Sequence, residues 1–195
     1  MIQSFKEYFY SVYLESSEDW IMYAKNKGYN IPAYHGTNQN FNKFVKGFGI
    51  SGSMFGIDKV KRNGFFFAEN ESDAKTFGQN IIPVLLKGKL ANLHDSDVVD
   101  ELTDEGLNYK WLYDGDIWEK FDGVDGEYLI SLLKKIGYDG VVFTEPSSGN
   151  HSSFTAYMVF DENQIKIFSP ITYDDNNQLI PLSERFDSSS DDIRY

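Results

Sequence analysis

Three short stretches of the chain hold residue types that could do chemistry. The first is Tyr34-His35-Gly36-Thr37, and the second is Gly64-Phe65-Phe66-Phe67-Ala68 with Phe77 nine positions after its end. The third is Tyr157-Met158-Val159-Phe160, running into Asp161-Glu162-Asn163-Gln164-Ile165. An imidazole beside a glycine, with aromatic rings downstream, suits recognition of a ligand by an approachable backbone and by ring stacking. His-Gly-Thr alone is weak, because a lone histidine is more often a satisfied structural residue. The three stretches in this order and at this spacing carry the weight.

Other chemistries fit less well. The chain has no cysteine, which removes thiolate nucleophiles, disulfides and Cys-bound metals. His35, His94 and His151 lack ligand spacing, so no metal site is expected. Serines crowd positions 147–153 without a Gly-x-Ser-x-Gly elbow. The glycines from Gly47 to Gly56 meet neither the phosphate-loop nor the dinucleotide fingerprint. Asp and Glu pairs abound, and a glycosidase's pair of carboxylates is a geometric matter that sequence leaves open.

Positioning the three stretches requires elements that the pattern predicts in turn. Residues 1–30 read as an N-terminal helical segment: Phe5, Tyr8, Phe9 and Val12 recur at helical spacing, and a second helix runs from a Ser17 cap to Gly28. Ala33–Thr37 reads as a short strand entering a turn, and residues 47–64 as a flexible loop. Gly64–Ala68 reads as a strand, followed by a helix from Glu71 that is capped by Ser72, carries Phe77 and ends at Gly78. Ile81–Leu90 is a strand whose Pro83 suggests an edge or a bulge. Residues 95–127 hold twelve Asp or Glu against two Lys and read as a solvated, partly helical insertion without a calcium-loop pattern. Asp125–Ile136 is a helix with Leu129, Leu132, Leu133 and Ile136 on one face. Gly140–Thr144 and Phe154–Phe160 read as antiparallel strands joined by a polar turn, with Gln164–Phe168 as one more strand. Residues 169–195 read as a polar C-terminal tail with a mobile stretch at Ser188–Asp192. Helices and strands mix without a strict βαβ rhythm, so the fold class is α+β.

Composition narrows the setting. A chain of 195 residues, 41% hydrophobic and 16% aromatic, suits one compact domain with appendages and has enough apolar surface for a core. The net charge of −12 and pI near 4.6 argue against a nucleic-acid partner, which needs a basic footprint. Lys59, Lys61 and Arg62 form the one tight basic patch, too small to carry such a role. We expect no signal peptide and no stretch of about 18 apolar residues to span a membrane, and hence a cytoplasmic protein.

Taken together, the three stretches resemble the ADP-ribosyltransferase superfamily, in its poly(ADP-ribose) polymerase-like and diphtheria-toxin-like branch, over residues 31–168. The resemblance implies a split β-sheet that clamps NAD, the substrate, and breaks its bond between nicotinamide and ribose. On that likeness His35 binds the adenosine ribose hydroxyl and the Gly36 backbone pairs with the nicotinamide amide, next to Thr37. Gly64, Phe65 and Phe66 match the family's Gly-Ile/Leu-Tyr-Phe-Ala strand, with Phe66 at the tyrosine position. Phe77 supplies the ring that stacks on the other nicotinamide face. A flat ring is held well between aromatic faces, and a glycine lets backbone come near enough to read an amide. The developing cation on the ribose is normally stabilised by a carboxylate, yet the family's catalytic glutamate position is Ala156 here. Glu145, across the expected hairpin, is the nearest substitute, with Glu162 at the far end of the strand.

A second resemblance is to phage and mobile-element polyvalent proteins. Its residues are Thr172–Phe186, Asp191–Tyr195, Gly137–Val142 and Asn163–Lys166. It implies a mono-ADP-ribosyltransferase that modifies a host or defence protein. A catalytically silent NAD-binding or protein-interaction module of the same fold is the alternative, and an NAD glycohydrolase a third reading.

Overall fold

The computed structural model describes residues 19–53, 56–146 and 153–195. The expected helix through Phe5 and Val12, the Ser17 cap, Met54, Phe55 and His151 lie outside these residues. The chain is α+β, as expected, and divides into two compact units.

The first unit comprises the described residues up to Phe44, together with Ala68–Lys87 and Asn163–Tyr195. Helix α1 (Asp19–Asn26) buries Trp20, Ile21 and Ala24, a spacing of one, three and four that a helix gathers on one face. Gly28 at φ +91° turns the chain into strand β1 (Tyr29–Thr37). This strand is longer than the sequence suggests and runs straight through Pro32. It pairs antiparallel along its length with β5 (Asn80–Lys87), Ala33 opposite Val84 and Thr37 opposite Asn80. On the other side of β5 lies β9 (Ile165–Ile167).

β5 is therefore interior, and the edge reading of Pro83 is corrected. Phe168, just past β9, donates its N–H to the Pro83 carbonyl at 2.9 Å. In a strand, N–H and C=O of one residue point the same way, so the donor that proline lacks would face the end of β9 and not the β1 ladder.

The C-terminal tail is built into this unit, which corrects the expectation of a mobile stretch. The fully buried Lys166 donates to the carbonyls of Ser190 and Asp192 at 2.8 and 3.0 Å. Arg185 caps the Pro170 and Ser169 carbonyls and lies over the rings of Trp20 and Phe186. Arg194 clamps Asp175 and Asp192, each at 2.8 Å. Polar composition misled because Lys166 and Arg185 are satisfied by carbonyls 15 or more residues away in the chain.

The second unit comprises Val45–Phe67 and Gly88–Glu162. Residues 47–64, read as a loop, instead form a hairpin of β2 (Phe48–Ser53) and β3 (Gly56–Lys61), paired from Phe48 opposite Lys61 to Ser53 opposite Gly56. Glycines lower strand propensity, but cross-strand pairing outweighs it here. Strands β6 (Leu90–Asn92), β7 (Gly140–Pro146), β8 (Ser153–Val159) and β4 (Phe65–Ala68) follow in that order, with β6 and β7 parallel and β7 and β8 antiparallel.

Helices α3 (Ser96–Asp104) and α4 (Tyr109–Leu112), a 3-10 turn (Ile117–Phe121) and α5 (Gly123–Lys135) complete this unit. The acidic stretch keeps most of its carboxylates in water while Leu102, Leu112 and Phe121 are fully buried. They pack with Leu129, Leu133, Phe143, Ala156 and Met158 in one core. Among the described residues no helix is long and apolar enough to cross a membrane.

Candidate functional site

In the first unit the site residues gather at the end of β1. Side chains alternate along a strand. Tyr34 and Gly36 face helix α2 (Glu71–Ala74), where burial, and then Glu71, push the Tyr34 phenol upward in pKa. A Cβ on Gly36 would lie 1.8 Å from the Ala74 carbonyl oxygen. Close packing on α2 therefore requires glycine at this position. The same Cβ would sit 3.3 Å from the Cβ of Phe77, so Phe77 stands directly beside Gly36.

Phe77 is not on the helix, which ends at Ala74. It lies in the following turn, its N–H donating to the Ala74 carbonyl at 3.0 Å. Asn70, not Ser72, occupies the cap position of this helix. The Phe77 side chain is exposed, at 64% of its surface.

His35 points to the opposite face of β1 from Gly36. Its ring meets Phe44 edge-on at 4.9 Å and Phe41 at 6.0 Å, and those two rings meet each other at 4.8 Å. This aromatic pair holds a half-buried imidazole at a fixed angle. Thr37 accepts a hydrogen bond from the Gln39 N–H at 3.1 Å.

The backbone of Gly36 has a direction that the ladder determines. Hydrogen-bonded and non-hydrogen-bonded pairs alternate in an antiparallel ladder. Pro83 turns its carbonyl toward Phe168, so its pair with Tyr34 is a non-hydrogen-bonded one. Two residues on, the pair of Gly36 with Ile81 has the same character. The N–H and C=O of Gly36 thus point away from β5, one donor and one acceptor side by side.

In the second unit, Gly64 packs so tightly that a Cβ would fall 2.0 Å from the Met158 methyl and 2.9 Å from the Val159 carbonyl. Phe65 is buried, while Phe66 is half-buried and meets Phe143 edge-on at 6.5 Å. The Arg62 guanidinium lies over Phe66 at 5.4 Å and over Trp118 at 5.1 Å.

Strands β7 and β8 pair as the sequence suggested, with Phe143 opposite Ala156 and Glu145 opposite Phe154. Residues two apart share a face, so Glu145 and Ala156 are on the same face as diagonal neighbours, about 7–8 Å apart. Ala156 is buried in the core. Glu145 is only 9% exposed, and its Oε1 has no hydrogen-bond partner among the described residues. Burial, helped by Asp116 and opposed by Arg62, pushes its carboxyl up to about 7. A buried carboxyl with unspent hydrogen-bonding capacity and a midpoint near neutrality has the properties of a general acid or base.

Arg62, Trp118, Asp116 and Asp122 were not singled out as site residues in the sequence. Arg62 is visible there only as part of a basic patch. The others lie in the acidic stretch, whose composition hides which side chains turn inward. Glu162 follows β8 in a short 3-10 turn, beside Asp161, which pairs with Lys134 at 2.8 Å.

The family model described as ADP-ribosyltransferase in polyvalent proteins matches residues 25–171, about three quarters of the chain. The chain belongs to this family. No curated protein and no solved structure matches it.

Proposed function

We propose that this member of the ADP-ribosyltransferases of polyvalent proteins takes NAD as its substrate and transfers a single ADP-ribose unit to a protein. The carrying observation is Glu145: a buried, incompletely bonded carboxyl on the same face of the β7–β8 hairpin as Ala156, where the family's glutamate would stand. It supports the reading that the carboxylate has moved from one strand to its neighbour and has not been lost.

In this reading the Gly36 N–H and C=O receive the carboxamide of nicotinamide, one as donor and one as acceptor. Phe77 stacks on the ring, and in the second unit Gly64, Phe65 and Phe66 stand at the positions of the family's Gly-Ile/Leu-Tyr-Phe-Ala strand. His35, held by Phe41 and Phe44, donates to or accepts from the adenosine ribose, next to Thr37.

The reaction breaks the bond between nicotinamide N1 and ribose C1′. The bonding pair leaves with nicotinamide, which becomes neutral, and C1′ carries the positive charge. Ionised Glu145 stabilises that charge, the type of interaction that lowers the barrier because it is strongest in the transition state. A nucleophilic atom of the acceptor then bonds to C1′, and its proton passes to Glu145. The membership in a polyvalent-protein family supports a role for the transferase in phage or mobile elements, with a host or defence protein in the cytoplasm as acceptor.

Labelled NAD incubated with the protein and a cell lysate tests the proposal. Label bound covalently to a protein supports it. Release of nicotinamide with free ADP-ribose alone would indicate water as acceptor. Binding of NAD with no cleavage would leave the silent module, a reading that the buried alanine at position 156 favours.

A further inference from the structure

The Arg62 side chain is anchored from several directions. Its backbone bridges to Asp122 and its N–H donates to the Gly47 carbonyl at 2.9 Å. The next residue, Asn63, is buried and donates to the carbonyls of Phe121 and Gly123 at 2.9 and 2.6 Å. The guanidinium is then held over Phe66 and Trp118. Phe66 rests on Phe143, which shares a face of β7 with Glu145. The chain of contacts thus runs from the arginine through one ring pair to the strand face that carries the acid.

Three charged side chains in this region have a buried atom with no hydrogen-bond partner among the described residues: Arg62 Nε, Asp122 Oδ1 and Glu145 Oε1. A purely structural ion pair satisfies such atoms, because leaving them bare is costly. Asp116, just before the 3-10 turn, acts on Glu145 with its own sign and Arg62 with the opposite one, while Asp122, at the start of α5, lies between the opposing influences of Arg62 and Glu119. Along the β6 side of β7, the His94 ring accepts a hydrogen bond from the Thr144 N–H at 3.2 Å.

We infer that Arg62 is a positioning residue for the transfer, the counter-charge that keeps Glu145 available as a carboxylate in a setting of apolar surface and other acids. This inference rests on the reading of Glu145 given above. Arginine suits the role because its charge is permanent, delocalised and able to lie on aromatic faces. Arg62 lowers the midpoints of both Glu145 and Asp122, in agreement with the geometry.

The test follows the carboxyl of Glu145 by carbon NMR on the full chain with labelled glutamate, assigned by the resonance that Glu145→Gln removes. In Arg62→Met the midpoint of Glu145 is expected to rise by about one pH unit, and in Arg62→Lys to return most of the way. If the methionine variant does not fold, Arg62→Gln, which also lacks the charge, carries the same expectation. The pH at half-maximal NAD cleavage should move with the NMR midpoint. A Glu145 midpoint unmoved by removing the Arg62 charge would overturn the inference. A chain that shows the NMR shift but never cleaves NAD would refute the proposed function and leave the electrostatic coupling standing.

Discussion

Replacing Glu145 by Gln should make the protein more stable at neutral and alkaline pH while removing most of its transferase activity. The folded-state midpoint of Glu145 lies near 7 against an ordinary 4.5, so the native state prefers the protonated form more than the unfolded chain does. The sign follows from linkage: its contribution to stability is complete below about pH 4.5 and is lost as pH rises to 7 and beyond. A displacement of that size corresponds to at most about 3 kcal/mol once both states are ionised. Gln keeps the shape and cannot ionise. Urea unfolding of the wild type and Glu145→Gln at pH 5, 6, 7 and 8 should therefore show a stability difference that grows with pH in favour of the variant. Transfer of label from NAD should fall about a hundredfold or more in the same variant, since a positioned electrostatic stabiliser has been removed. A stability difference that stays flat from pH 5 to 8 would refute the burial argument, and full transfer activity would refute the catalytic one.

His35→Ala and Phe77→Ala should each weaken NAD binding by about 1–3 kcal/mol, the scale of one hydrogen bond or one stacked face, as calorimetry would read. Circular dichroism should show both variants folded, since Phe77 is exposed and His35 half-buried. Gly36→Ala should lower the unfolding temperature even without NAD, because its Cβ would collide with the Ala74 carbonyl and force α2 away at a cost of about 1–3 kcal/mol. Ala156→Glu, which puts the family's residue at the family's position, should destabilise the chain and raise the Glu145 midpoint, since it buries a second carboxyl beside the first. A stable Ala156→Glu variant with faster NAD cleavage would show instead that this face of β8 can open.

The parts of the fold legible in the sequence are those with strong local signals. The pairing of β7 with β8 followed from two apolar runs around a polar turn, and helix α5 from leucines at helical spacing. The end of β1 was marked by His35-Gly36-Thr37. What failed was governed by long-range partners. Pro83 suggested an edge because no local signal says that its donor side meets only the end of β9. The stretch Ser188–Asp192 looked mobile because Lys166 and Asn42, which hold this end of the tail, are far away in the chain. The 47–64 stretch looked like a loop because glycine weighs against strands until a second strand lies alongside.

The candidate site shows the same division. Residue types were readable one position at a time, whereas their state was not. Gly36 was singled out for its backbone, and the structure adds that packing on Ala74 alone would demand glycine there. Its identity therefore says nothing by itself about ligand recognition, which depends on the direction of its N–H and C=O. Glu145 was chosen only for its nearness to Ala156 across a hairpin, and a glutamate beside a polar turn would ordinarily be solvated and ionised. The same register that puts it on the Ala156 face also buries it, and burial is what brings its midpoint near 7. A carboxyl that is half-protonated at neutrality is a poorer electrostatic stabiliser than a fully ionised one, since only its charged fraction acts on the ribose cation. If Glu145 takes the role of the family's acid, as proposed, its place on β7 creates a need for a compensating positive charge, and Arg62 opposes the shift. Under the proposed function, the alanine at position 156 and the arginine at position 62 are two sides of one electrostatic arrangement.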